Sequence, residues 1–230
     1  LGSAHVKEHV NKLTASLMGD IGEVIPTLNP DKKHLLWLDY DDILQDYMVS
    51  HMVDALTILS PGSIIVLTID VDSKSLDDNK AWFNHLTDEV SDYLPSGLSS
   101  QDCGSKELTT TILAVLHNMI THTMSSRAEL DFKLLFNFLY ADGHTMLTIG
   151  GVLAGREDRR ILRSCEWDRF PFCRRNFDQA PFTIKVPNFT RRERFYLDSH
   201  MPRIADWIPK AFQIEEEDLS TYSKIFGYCP

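Results

Sequence analysis

His34-Leu35-Leu36-Trp37-Leu38-Asp39-Tyr40-Asp41-Asp42 is the stretch on which the fold turns. An apolar run stops at three carboxylates, and a helical pattern follows at once. A strand buried on both faces is apolar throughout and cannot hold several unpaired charges. The pattern therefore predicts a buried strand over Leu35 to Tyr40, with Asp39, Asp41 and Asp42 where it emerges. In open α/β sheets that edge is where ligands bind. The competing reading is that Asp41 and Asp42 cap the next helix, which Asp does well.

Downstream, Leu44, Met48, Met52, Ala55 and Leu59 recur at helical spacing until Ser60-Pro61-Gly62 ends the pattern. Ser63 to Val71 is short, apolar and β-branched, which predicts a second buried strand. Two strands joined by a helix form a right-handed crossover with parallel strands. Asp70 and Asp72 then repeat the first motif, so adjacent parallel strands would bring both acidic groups to one rim.

Leu76 to Leu94 and Glu107 to Thr123 read as helices, separated by a Ser- and Gly-rich loop over 95–105. Phe132 to Tyr140 and Thr145 to Leu153 flank Ala141-Asp142-Gly143-His144, and Asp-Gly between β-prone runs signals a hairpin. Gly150-Gly151 in its second strand suggests a bulge or a close approach. Phe182 to Val186 is a further strand candidate. Thr190 to Glu193 has capping-box form, and Glu215 to Asp218 opens the last helix with charges that suit its dipole. Near the start, Val6, Val10, Leu13, Leu17 and Met18 mark a helical face over His5 to Ile21.

With 43% hydrophobic and 24% charged residues, the chain can bury a substantial core. No run is long and apolar enough for a membrane span, and no secretory signal is visible, so a cytoplasmic location is expected. The start at Leu1 rather than Met, and the stop at Pro230 directly after helical material, both suggest truncation. Cys103, Cys165, Cys173 and Cys229 lack metal-ligand spacing, so reduced thiols and no metal site are expected. His5 and His9 have helical spacing but no third ligand; His117 and His122 fall on different faces, and His144 reads as a turn residue. The sequence has no nucleophile elbow, P-loop or HExxH motif. The net charge of −10 disfavours generic nucleic-acid binding, yet eleven of twelve arginines lie between Arg156 and Arg203. That stretch is either a salt-bridged surface or a zone for an anionic ligand such as a phosphate or polynucleotide.

Four segments, "LWLDYDD" at 36–42, "LSPGSIIVLTIDVD" at 59–72, "FTIKVPNFTRRERFYLDSHMP" at 182–202 and "LSTYSKIFGYCP" at 219–230, carry a resemblance. In order and spacing the chain resembles a bacterial O-methyltransferase-like family of the S-adenosylmethionine-dependent Rossmann group. The resemblance implies an α/β fold: a Rossmann-like, mostly parallel sheet flanked by helices, with a terminal antiparallel hairpin, over residues 1–154. An Arg-rich extension with short helices packed on that core would occupy 155–230. Leu35–Tyr40 would be the family's fourth strand and Ser63–Val71 its fifth. Asp39 and Asp41 would act on the acceptor, and Asp39, Tyr40 and Asp70 would face the S-adenosylmethionine donor. The family's glycine-containing donor loop follows its first strand, whereas the residues before Leu35 read as one helix plus loop. The expectation is a fragment of a longer protein, or a chain without its donor half. Methyl transfer to an unidentified acceptor is the leading reading; a non-enzymatic interaction module on the same scaffold is the other.

Overall fold

The computed structural model describes residues 20–185, 187–202 and 207–226. Its sheet contains β1 Leu35–Ile43, β2 Ile64–Asp70, β3 Asp131–Asp142, β4 His144–Ala154 and the short β5 Phe182–Thr183. The helices are α1 Ile21–Val24, α2 Asp46–Ile58, α3 Asn79–Val90, α4 Leu108–Met124, α5 Arg156–Cys165, α6 Arg191–Asp198 and α7 Glu216–Ile225. Most of the helix expected over His5 to Ile21 lies outside the described residues, as do His5, His9, Arg203 and Cys229.

Strand order is β1-β2-β4-β3-β5. β1 runs parallel to β2, from Leu35 opposite Ile64 to Asp39 opposite Thr68. β4 is antiparallel to both β2 and β3, and β5 is parallel to β3. β4 alone is reversed, but because it is inserted between β2 and β3 it makes the sheet mixed rather than mostly parallel by pairing. The hairpin forms as expected, with Asp142 opposite His144 and Gly143 at φ 81° in the turn. It is not terminal, because β5 adds beyond β3.

Alternation along β2 decides which side is the core. Ile65, Leu67 and Ile69 are buried with Met48, Met52 and Leu56 of α2, Trp82 and Leu86 of α3, and Ile112, Leu116 and Met119 of α4. Each fully buried aliphatic side chain of this kind contributes roughly 1.5–3 kcal/mol. β1 obeys the same period on one side only. Leu36, Leu38 and Tyr40 meet that core, whereas Leu35 is 70% and Trp37 58% exposed. The expectation of a strand buried on both faces is therefore corrected: β1 is an amphipathic edge strand whose outer face carries large apolar residues. On that face Trp37 Nε1 donates to Thr68 Oγ1 at 3.0 Å, and Thr68 meets the Thr148 hydroxyl at 3.0 Å. The buried threonines of β2 and β4 thus satisfy one another.

β1 also runs three residues past its expected end, with a register irregularity between Asp39 and Ile43. Asp42 does not cap α2. It accepts from Ile43 N and from Gln45 Nε2, while the Asp46 N–H is met by Glu89 of α3. The capping box at Thr190 and the acidic first turn of α7 are found as expected. α6 and α7 gather a second, smaller apolar cluster around Leu197, Leu219 and Tyr222.

The glycine pair of β4 proves to be a close approach. Phe136 lies directly opposite Gly150, and a Cβ there would fall 2.1 Å from Phe136 Cζ. At Gly151 the ring of Phe132 would be 2.2 Å away. The irregularity lies on the partner strand, between Leu134 and Phe136. Gly150→Ala is expected to destabilise the chain by about 1–3 kcal/mol through overpacking, with part recovered in Gly150→Ala/Phe136→Leu. Urea denaturation reads this; an unchanged midpoint in the single variant contradicts the packing.

Candidate functional site

The rim where β1 and β2 end is also where β4 begins, because β4 runs the other way. Asp70, the last residue of β2, is only 4% exposed. A buried carboxylate is costly unless donors surround it. Three do: Asp72 N at 2.6 Å on Oδ1, and Ser75 Oγ at 2.6 Å and His144 Nδ1 at 3.1 Å on Oδ2. An ionised carboxylate only accepts, so an imidazole bonded to it through Nδ1 holds a proton there, and in the neutral ring Nε2 is then an acceptor. The His144 side chain is 64% exposed, so that nitrogen is open to solvent. An imidazole oriented by a buried carboxylate is a general-base arrangement. It is not a hydrolase triad. Ser75 Oγ lies 3.3 Å from Nδ1, the same nitrogen that Asp70 holds, whereas a nucleophilic serine must face the other one.

Asp72 continues the tie. It accepts from Lys74 N at 2.9 Å, and from Thr145 N and Oγ1 at 3.1 and 3.3 Å. These bonds, with the Lys74 backbone amide the largest contributor, hold its carboxyl below the usual carboxylate range against a smaller desolvation effect. The two aspartates thereby fasten the segment after β2 to the first residues of β4.

On β1, strand alternation separates the residues grouped from sequence. Asp39 and Asp41 are exposed and form no hydrogen bond or ion pair among the described residues. Tyr40 turns to the opposite, helix-covered face. Its hydroxyl meets His51 Nδ1 of α2 at 2.7 Å, and His51 Nε2 lies 3.9 Å from Asp20. Burial pushes the Tyr40 phenol up to about 12, helped by Tyr47 and Asp20. Of the residues expected at the donor, Asp39 offers a free carboxylate, Tyr40 faces away from it, and Asp70 is already engaged. Ser75 carries no sequence signal, and His144, expected as a turn residue, is instead the first residue of β4. The signal for His144 was positional: the residue after a hairpin turn, on a strand returning beside β2, lands at the rim.

The arginine-rich stretch is largely occupied with its own neighbours. Arg159 pairs with Asp131, Arg160 with Glu157, Arg169 with Glu166 and Arg175 with Asp168, while Arg174 donates to main-chain carbonyls. A cavity of about 510 Å³ lies between α4, the start of β3 and residues 175–177, at the sheet end opposite the rim. His117 there stacks on Phe177, and His122 packs against Tyr93. Cys103, Cys165 and Cys173 are free thiols. No helix among the described residues is long and apolar enough to cross a membrane.

Compared with known families, the chain matches over residues 11–230 the family described as "Putative O-methyltransferase". No curated protein matches it.

Asp72 gives the rim a pH signature. A carboxyl whose folded pKa is depressed stabilises the fold above its unfolded pKa of about 3.9, and that contribution is lost as pH falls through the folded value. Asp72→Asn should therefore be less stable than the parent at neutral pH, with the difference closing below about pH 4. Denaturation midpoints across that range check it; a gap independent of pH contradicts the assigned bonds.

Proposed function

The chain belongs to this O-methyltransferase family, and from that premise we propose that it carries the acceptor side of an S-adenosylmethionine-dependent methyltransferase. The observation that carries the reading is the rim. β1 carries unengaged carboxylates at Asp39 and Asp41 toward that end of the sheet, β2 ends there in the buried Asp70, and the reversed strand β4 beside β2 presents an oriented imidazole at His144. The parallel β1–β2 pair joined through α2 supports this reading.

The chemistry of the donor matches these groups in part. Its ammonium and ribose hydroxyls are hydrogen-bond donors, and Asp39 and Asp41 are exposed acceptors suited to them. Neither connection leaving the rim, Leu44-Gln45 after β1 or 71–78 after β2, contains a glycine. The rim therefore supplies side-chain acceptors and not a glycine loop. When bound, S-adenosylmethionine supplies an electrophilic methyl group. The chain's own residues do the rest: Asp39 and Asp41 hold and orient, and His144 Nε2 takes the proton of an acceptor hydroxyl while Asp70 holds its Nδ1–H. Asp70 and Ser75 act through His144 and are positioning residues.

The second reading, an interaction module without methyl transfer, is favoured by the glycine-free connections. Titration of S-adenosylmethionine into the full chain, by calorimetry, separates the two. The methyltransferase reading expects saturable binding, weakened about 10-fold or more in Asp39→Asn by loss of a charge-assisted hydrogen bond worth roughly 1.5–3 kcal/mol. Absence of binding, or identical affinity in Asp39→Asn and Asp41→Asn, removes the donor role from this rim.

A further inference from the structure

β1 is the first strand of the sheet, and among the described residues no strand pairs its outer side. The His34 carbonyl accepts from Ile64 N at 2.8 Å, so the parallel ladder turns the backbone groups of His34, Leu36 and Leu38 toward β2. Those of Leu35, Trp37 and Asp39 point outward, with no partner strand among the described residues. The side chains of the same three residues stand on the face that the helices leave open, with Leu35 and Trp37 mostly exposed. An open edge flanked by large apolar side chains is a template for another strand.

The sequence along this edge specifies which strand. We infer that it pairs antiparallel with the same edge of a second copy of the chain, centred on Leu36. In that register each Leu35 lies opposite the partner's Trp37, and each Lys33 opposite the partner's Asp39. Cross-strand apolar and opposite-charge pairs each favour a register, and here both recur twice by symmetry. Lys33 would have to exchange partners for this role: its side chain is 66% exposed, and its present ion pair, at 3.3 Å, is with the largely covered Asp158. Asp39 has no partner of its own among the described residues.

The irregularity between Asp39 and Ile43 sets the limit of the ladder. Pairing extends over 35–37 and the flanking charges, then the strand bends away. Such an interface lies at the small end of specific interfaces, which places the dissociation constant on the order of micromolar. Each copy would receive a cation, the partner's Lys33, beside the Asp39 carboxylate at its rim. This inference goes beyond the methyl-transfer reading and does not rest on it.

Sedimentation velocity of the full chain from about 1 to 100 µM, which brackets a micromolar constant, tests it. The parent should pass from monomer to dimer over that range, and Trp37→Lys should remain monomeric with an unchanged far-ultraviolet dichroism spectrum. Lys33→Asp and Asp39→Lys should each weaken association about 10-fold or more, since like charges then face each other. The double variant Lys33→Asp/Asp39→Lys restores opposite charges across the two-fold axis and should recover most of the parent's affinity. A parent that stays monomeric at the highest concentration overturns the inference, as does a dimer indifferent to Trp37→Lys. Failure of the charge swap to recover affinity rejects the register and the symmetric pairing built on it.

Discussion

A carboxylate taken out of water must be given hydrogen-bond donors, and the rim of this sheet is organised by meeting that demand for Asp70. Its three donors come from Asp72, Ser75 and His144, which lie on the segment after β2 and at the start of β4. With Asp70 exposed, the segment would lose the tie through Ser75 and His144 and keep only the bonds of Val71 and Asp72 to Thr145. Asp72 repeats the device one step further out, through Lys74 and Thr145. The same geometry fixes His144 with one nitrogen engaged and the other open. Folding and chemistry thus share one constraint at this point.

The second organising fact is the reversal of β4. A parallel sheet would bring only strand ends to this rim; inserting one reversed strand brings a strand start as well, beside β2. The buried carboxylate that ends β2, Asp70, therefore meets an imidazole from β4. The sheet is covered by α2, α3 and α4 on one face, and its edge strand β1 keeps Leu35 and Trp37 in solvent. An amphipathic edge next to an acidic rim links the molecule's association to the place where its chemistry is assigned.

Much of the scaffold was legible from local pattern. The apolar run at Leu35, the β-branched run ending at Asp70, the helical spacing from Met48 and the Asp142-Gly143 turn each depend on neighbours within a few residues. What escaped was decided at long range or by parity. Burial on both faces of β1 was inferred from apolarity alone, but Leu35 and Trp37 face outward because no described element covers them. Tyr40 was grouped with Asp39 and Asp41 by adjacency, although the two-residue period of a strand already sends it to the other side. The local sequence around Asp42 also suits a helix cap, yet the Asp46 N–H is met by Glu89 of a distant helix. The contact between Asp70 and His144 spans seventy-four residues, and no local signal encodes it. The burial of Asp70 followed from the sheet order and not from the strand's own sequence.

The tie across the rim stands or falls with the protonation pattern of the His144 ring. Nitrogen-15 chemical shifts of that imidazole distinguish the two neutral tautomers. A proton on Nδ1, donated to Asp70, and a bare Nε2 are expected, with that preference lost in Asp70→Ala. A neutral ring protonated on Nε2 would contradict it, because neither the tie across the rim nor the open base would then exist.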